Sequence, residues 1–382
     1  MQSQTPAPLR VLVVISGLGF GGAERQMVEL VNNADPAVAD LHLCSLSEDV
    51  PLGTHLRDRS RLHVVARRSK FDASVIPRLR ALMRELRTEV VHGVLFDAEI
   101  ATRLAGRFSG IPVVGSERNT DYVLGPVPRI AYRLTRGWVD LVVANSRAGA
   151  AFNSRYLGHP GHIYRVVHNG VDTQRFRPLG RGAVRREFGL AETTPLIGMV
   201  ASFKSQKNHP LLLRAAKRVL ASRPDVRFAF VGDLVAGGKY GSAEYAREMQ
   251  ALVDSLGVRS ACLFLGNRQN LPELYSDFDL SVLPSLFEGT PNVVLESLAC
   301  GCPVVATDVS DNAMVAPTGE VGEIVPSGDE AALAAALERL LGDAELRNRY
   351  AGKARAWVER EFSTAAMAAK MVRVYQEARR LA

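Results

Sequence analysis

The sequence predicts an α/β fold of parallel β-α-β units arranged in two successive series, and three observations carry that expectation. Continuous apolar runs recur along the chain, as strands buried on both faces require, and they lead into loops and amphipathic helices. A glycine-rich turn, with Gly17, Gly19, Gly21 and Gly22, follows the first such run. A second strand-loop-helix series opens at Pro195, and within it Leu280 to Thr307, LSVLPSLFEGTPNVVLESLACGCPVVAT, reads as one β-α-β unit.

With 382 residues and 47% hydrophobic content, the chain has room for two or three domains with ample cores. Few aromatics and an ordinary charge density exclude a disordered or fibrous protein. The net charge of +7 lies in the first half, where 23 basic residues meet 16 acidic ones up to Gly180, against 24 of each beyond it. Such a surface suits an anionic lipid or an anionic acceptor, since each basic residue near a membrane contributes about 1 kcal/mol. A solvated basic face explains it equally well. Nucleic acid is not an expected partner, because no aromatic-rich basic groove interleaves the charges. Cys44, Cys262, Cys300 and Cys302 read as buried reduced thiols, since no second Cys or His pair completes a metal site around Cys300 and Cys302. The start, MQSQTPAPLR, reads as a frayed tail, and the following VLVVISGLGFGG is too short and glycine-rich to cross a membrane. It also lacks a secretory cleavage pattern, so the expectation is a cytoplasmic protein that touches the inner face of the membrane only peripherally.

In chain order, Val11 to Ser16 is the first strand, and the helix after the glycines turns Met27, Leu30 and Val31 to one side. That turn fits G-x-G-x-x-G, with Glu48 and Asp49 after the next strand, which is the context of a dinucleotide-binding fingerprint. An NAD-dependent oxidoreductase is therefore the alternative reading of the first half. Leu41 to Leu46 and Leu62 to Ala66 are further strands. An amphipathic helix spans Ser74 to Arg87, and its arginines join Arg67, Arg68 and Lys70 as the expected membrane-facing patch. Strands end at His92, which reads as structural, at Glu117-Arg118-Asn119, and at Ala144. Further strands are expected at Arg227 to Val231 and Cys262 to Leu265, with a glycine-rich mobile loop from Ala236 to Tyr245 between them. Asp277-Phe278-Asp279 precedes a strand rather than ending one, so it reads as a helix-to-strand turn and not as a metal site.

Within the central stretch, Leu280 to Leu283 is strand-like and Thr290-Pro291 writes a helix start, with Thr as N-cap and Pro at the first helical position. Val293, Val294, Leu298 and Ala299 give the helix a face to bury; Gly301 ends it and Pro303 prevents its return. Packing leaves Glu288 and Glu296 unexplained. Free N–H groups at the helix start between them attract an anion such as phosphate. From Pro291 to Glu296 the helix rises about 7.5 Å at roughly 1.5 Å per residue, which is comparable with a diphosphate. One carboxylate thus stands at each end of a phosphate-binding helix start, ready to accept hydrogen bonds from sugar hydroxyls; the plainer alternative is two solvated surface residues.

Glu288 and Glu296, with the Glu-Gly-x-Pro and Gly-x-Pro around them, resemble the E-x7-E signature of retaining GT-B glycosyltransferases, specifically glycosyltransferase family four (glycosyl transferases group 1). His168-Asn169-Gly170-Val171-Asp172 and Gly319 to Asp329 extend the resemblance through most of the chain. It implies a GT-B fold: two doubly wound Rossmann-like domains facing across a cleft, an acceptor-side domain over 1–178 and a nucleotide-sugar domain over 179–363, with helix 364–382 returning to the first. It assigns the donor ribose to Glu296 and the transferred sugar to Glu288. The diphosphate goes to Gly289, Thr290, Pro291, Asn292 and Val293, to Gly21 and Gly22, and to Lys207. Ser202 stands where the family pattern has Arg, so Lys204 is expected to supply that cation. Asn267 and Arg268 lie on the loop whose backbone reads the base, and Glu117 and Arg118 stand where the family places a polar acceptor-side group. The implied activity is retaining, metal-independent hexosyl transfer without a cofactor, from a UDP-sugar ahead of a GDP-sugar, to a glycan or lipid-linked saccharide in cell-surface polysaccharide synthesis. A non-catalytic nucleotide-sugar binding protein is the remaining alternative.

Overall fold

The computed structural model describes residues 7–69, 72–118, 125–232 and 243–381. Lys70, Asn119, the first six residues, and most of the loop expected from Ala236 to Tyr245 lie outside the described residues. The chain divides into two compact units, 1–170 with 364–382, and 171–363.

The first unit holds seven parallel strands: β1 (Leu9–Ile15), β2 (Ala39–Ser45), β3 (Leu62–Val64), β4 (Val90–Val94), β5 (Val113–Glu117), β6 (Leu141–Ala144) and β7 (Tyr164–Val166). Their order is β3-β2-β1-β4-β5-β6-β7, so the winding reverses between β1 and β4. Helices α1 (Gly22–Asn33), α2 (Val75–Glu85), α3 (Phe96–Arg107), α4 (Pro126–Thr135) and α5 (Arg147–Leu157) join them. Alternation along β1 supplies both faces of the sheet: Val11, Val13 and Ile15 enter one core, Leu12 and Val14 the other. That double burial is why these strands are readable as unbroken apolar runs. The C-terminal helix Thr364–Leu381 (α14) belongs to this unit. Met367, Met371, Val372 and Tyr375 join the core of Val11 and Val13, and the Tyr375 hydroxyl lies 2.9 Å from Nδ1 of His92. His92 sits inside β4 rather than at its end, and burial drives its pKa down to about 3, so the ring is neutral.

The second unit has six parallel strands: β8 (Leu196–Val200), β9 (Arg227–Val231), β10 (Cys262–Gly266), β11 (Leu280–Leu283), β12 (Val304–Thr307) and β13 (Gly322–Val325). Their order, β10-β9-β8-β11-β12-β13, places the reversal between β8 and β11. Helices α6 (Ala183–Glu187), α7 (His209–Ser222), α8 (Ala243–Leu256), α9 (Leu271–Asp277), α10 (Asn292–Ala299), α11 (Asn312–Val315), α12 (Glu330–Gly342) and α13 (Ala344–Glu361) complete it. Gly198 in β8 is required by packing, because a Cβ there would lie 2.0 Å from the Phe278 ring. Asp277 and Asp279 form the expected helix-to-strand turn. Asp277 accepts the backbone N–H groups of Gly182 and Val184, and Asp279 accepts from Arg181, Arg185 and the N–H of Leu196. All four cysteines are buried free thiols.

Candidate functional site

In open parallel sheets, ligands bind beyond the carboxyl ends of the strands, where the winding reverses. In the second unit that point lies between β8 and β11, and the two loops leaving these strands carry Lys204, Lys207 and Glu288. The loops are tied together: Leu286 N–H donates to the Gln206 carbonyl (2.9 Å), and Gln206 Nε2 donates to the Phe287 carbonyl (2.8 Å). Lys207 Nζ meets Glu288 Oε1 at 2.5 Å in an ion pair between largely buried side chains. Asn208 takes the left-handed turn (φ 52°) that lets α7 begin directly after Lys207. Beneath, buried His209 stacks on Phe203; burial and then Lys207 lower its pKa to about 3, so it adds no charge to the site. Burial and the neighbouring Lys207 also lower the pKa of Lys204. Ser202 contributes its carbonyl, which accepts the Lys204 N–H at 2.8 Å.

Glu288 is only 7% exposed and is held at every end. Ser285 Oγ donates to its Oε1 (2.6 Å), its own N–H donates to Ser310 Oγ (3.2 Å), and Ser310 Oγ donates back to its carbonyl. Thr307 Oγ1 donates to the Ser285 carbonyl at 2.6 Å, anchoring that clasp to the end of β12. Ser310 adopts φ 50°, a left-handed conformation unusual for serine. Glu296, 8% exposed on α10, accepts from the Tyr275 hydroxyl (3.3 Å), whose pKa is raised far above its usual value by burial and then by Glu296 itself. The carboxylates are therefore not the solvated pair of the plainer alternative.

The helix between them begins one residue later than the sequence suggested. Pro291 is the N-cap and Asn292 the first helical residue, while buried Thr290 precedes the cap and does not serve as it. Gly301 ends the helix with φ 73°; its N–H bonds the Leu298 carbonyl and that of Cys302 the Ser297 carbonyl, the paired pattern of a Schellman close. Gly289, Thr290, Pro291, Asn292 and Val293 thus form the approach and first turn of α10, where N–H groups point outward. The Arg268 guanidinium is occupied by Glu187 and the Leu265 carbonyl.

In the first unit, Gly21 is the N-cap of α1 and Gly22 its first residue, at the β1/β4 reversal. Glu117 ends β5 with its carboxylate turned inward. Oε1 accepts from the Tyr164 hydroxyl (3.1 Å), and burial followed by nearby Glu99 raises the pKa to about 8. Glu99 is itself raised to about 7 by burial, although Arg103 Nη2 lies 2.9 Å away. Arg118 points elsewhere, to Asn169 Oδ1 and Ser116 Oγ, both at 3.0 Å. Arg118 is half-buried where Glu117 is buried, and burial lowers the pKa of its guanidinium to about 10.

Residues 181–357 match the model of the glycosyl transferases group 1, and residues 20–175 match that of Glycosyltransferase Family 4. The two matches fall on the two units and together take in most of the chain. The chain belongs to glycosyltransferase family 4.

Among its relatives in the family is the D-inositol 3-phosphate glycosyltransferase of Acidothermus cellulolyticus, 29% identical over 306 residues, which are 76% of this chain and 67% of that protein. Another is the lipopolysaccharide core biosynthesis mannosyltransferase LpsB of Rhizobium meliloti, 29% identical over 211 residues, 54% of this chain and 59% of that one. Matches to further D-inositol 3-phosphate glycosyltransferases take in only 46% and 54% of those proteins. Anabaena HepE, solved in complex with UDP, shares the GT-B fold with a TM-score of 0.82 at 19% identity, over 97% of this chain and 100% of that one. Family membership replaces the oxidoreductase reading of the Gly17–Gly22 turn. What the sequence missed in this family 4 chain is the support of Glu288: Pro284-Ser285 was legible only as the stop of a strand, and Asp308 to Val315 only as a degenerate form of the family's glycine-rich turn, with no role for Ser310.

Proposed function

We propose that this protein is a retaining glycosyltransferase that takes a hexose from a UDP-sugar and passes it to a glycan or lipid-linked acceptor in cell-surface polysaccharide synthesis. The observation that carries the reading is the immobilised Lys207–Glu288 pair beside the start of α10, with Glu296 further along the same helix. A diphosphate at the helix start meets outward N–H groups and two lysines. Glu288 accepts from hydroxyls of the transferred sugar and Glu296 from those of the ribose. The start of α1 at Gly21 and Gly22 offers the same polarity to a phosphate. As the sugar–phosphate bond breaks, charge grows on the leaving diphosphate; a preorganised cation there is worth about 3 kcal/mol of barrier. The acceptor oxygen then bonds to the anomeric carbon from the leaving-group side while its proton passes to a phosphate oxygen, so configuration is retained. No step asks for a metal, and Asp277 and Asp279 are committed to backbone and arginine partners. HepE binds UDP within the same fold, which makes UDP the first nucleotude to test. Arg118 is the proposed acceptor-side contact, and the basic first half suits an anionic acceptor, of which inositol phosphate, the substrate named for one relative, is an example.

A panel of UDP- and GDP-sugars, read by thermal shift and then by acceptor-dependent nucleotide release, tests this. Lys207→Ala is expected to lower transfer on the order of 100-fold or more, and Lys204→Ala less. Donor binding without turnover on any acceptor would instead support a nucleotide-sugar sensor.

A further inference from the structure

Left-handed backbone at a residue other than glycine costs free energy, so a chain keeps it only where something else is gained. Four described non-glycine residues adopt it, and two of them serve the same ion pair: Asn208 follows Lys207 with φ 52°, and Ser310 grips Glu288 with φ 50°. Asparagine tolerates that region, whereas serine has no special fitness for it. What Ser310 offers in return is its hydroxyl, and both bonds of that hydroxyl go to one peptide: it accepts the Glu288 N–H at 3.2 Å and donates its single proton to the Glu288 carbonyl. A hydroxyl bound both ways has its direction fixed. The carboxylate of Glu288 is held from the same turn. Asn312 Nδ2 donates to the Thr307 carbonyl (3.0 Å), Thr307 Oγ1 to the Ser285 carbonyl (2.6 Å), and Ser285 Oγ to Glu288 Oε1 (2.6 Å). Asn312, Thr307 and Ser285 are fully buried, so water does not compete for these bonds.

We infer that Ser310 is a positioning residue: its strained turn sets the peptide of Glu288, and through that peptide the direction of the carboxylate that receives the transferred sugar. This rests on the proposed contact between Glu288 and the sugar, and adds to it a residue that acts through Glu288 rather than on the donor. Several rotatable bonds separate a glutamate carboxylate from its backbone, so a peptide free to tilt moves the carboxylate by more than the tilt itself. Recognition of a reacting group fails at displacements of about 1 Å. Ser285 and Lys207 Nζ fix where Oε1 ends, and Ser310 fixes where the side chain that carries it begins. Pinned at both ends, the carboxylate presents its second oxygen to a sugar hydroxyl in a single direction. The proposed nucleotide contacts, the α10 start and Glu296, are not held by Ser310. Its loss is therefore felt by the sugar and not by the nucleotide, whereas a general loosening around α10 would weaken both together.

The test compares Ser310→Gly, Ser310→Ala and Ser310→Thr in the full chain. Gly removes the hydroxyl and relieves the backbone, Ala removes the hydroxyl and leaves the strain, and Thr keeps the hydroxyl at a greater backbone cost because it is β-branched. Calorimetry measures the binding of UDP and of UDP-glucose, UDP-galactose and UDP-N-acetylglucosamine, with urea denaturation beside it. In the wild type at least one of these UDP-sugars is expected to bind more tightly than UDP. Ser310→Gly and Ser310→Ala should each reduce that preference on the order of tenfold while UDP affinity stays within about twofold. Ser310→Thr should retain the preference even though its urea midpoint falls, and the midpoint of Ser310→Gly should exceed that of Ser310→Ala. Hydrogen exchange at the Glu288 amide should speed up in Gly and Ala alone. Glu288→Gln separates the role of Ser310 from the role of Glu288. If Glu288→Gln abolishes the preference and Ser310→Gly leaves it intact, Ser310 is not a positioning residue. Equal losses of UDP and UDP-sugar binding in all Ser310 variants, Thr included, would overturn the inference as well. If Glu288→Gln itself leaves the preference intact, or the wild type shows none, Glu288 does not hold the sugar and both roles fall.

Discussion

Glu117 illustrates how a residue's position in the fold redirects its chemistry. Its carboxyl ends β5, where sequence placed an acceptor contact, yet burial raises its pKa to about 8, so it is protonated at neutral pH. A carboxyl raised in the folded state stabilises fully below its unfolded pKa, near 4.5, and that contribution is lost as pH rises through about 8. Glu117→Gln, which keeps the shape and cannot ionise, is therefore expected to remove much of the loss of stability between about pH 5 and 8. Urea denaturation of both proteins across that range checks it; parallel pH curves would contradict the assignment. Features whose setting is written in local pattern, such as the α10 stop at Gly301 and the Asp277–Asp279 helix-to-strand turn, were legible because neighbours in sequence supply their context. Glu117 and Ser310 were not. Their surroundings, Glu99 and Tyr164 for one and the Glu288 peptide for the other, come from distant segments that only the folded chain assembles.

Elements were legible to the extent that burial imposed a period on them. Parallel strands covered on both faces stand out as apolar runs, and their expected ends fall within a residue or two of those observed for β1, β9, β10 and β11. Helix starts were less secure, because Thr290 and Pro291 each satisfy the rules for adjacent positions and only tertiary packing, which buries Thr290, selects between them. Helix α4 escaped notice for a related reason: its apolar stripe, Val127, Ile130 and Leu134, faces outward, and periodicity alone cannot say which way a stripe points. Helix α14 shows what an element contributes when it closes a core. Met371 is buried against the β1 face, and Met371→Ala is expected to cost about 2–5 kcal/mol through the cavity it leaves. Tyr375→Phe should cost about 1–3 kcal/mol, because a buried ring nitrogen of His92 loses its partner. Chemical denaturation measures both; changes under about 0.5 kcal/mol, ordinary for surface positions, would mean that α14 is dispensable to that core.

At the scale of the whole molecule, each of the four buried hydrophobic clusters draws its residues from one unit. Cooperative unfolding follows the core, so calorimetry is expected to resolve two transitions, one per unit. Met371→Ala marks the transition of the first unit by lowering it. A ligand that binds only the folded form stabilises by about 2.7 kcal/mol when present at about 100 times its Kd. If the nucleotide is held chiefly by the α10 start, Glu296 and Lys207, UDP will raise the transition that Met371→Ala leaves unmoved, and Lys207→Ala will diminish that rise. A rise confined to the Met371-sensitive transition would instead place the nucleotide at the Gly17–Gly22 turn, where the winding of the first sheet also reverses. Both units possess a reversal point with a helix start beside it, and the fold by itself does not distinguish them. The immobilised carboxylates and paired lysine belong to one unit only, and the calorimetric experiment asks whether that chemistry decides where the nucleotide binds.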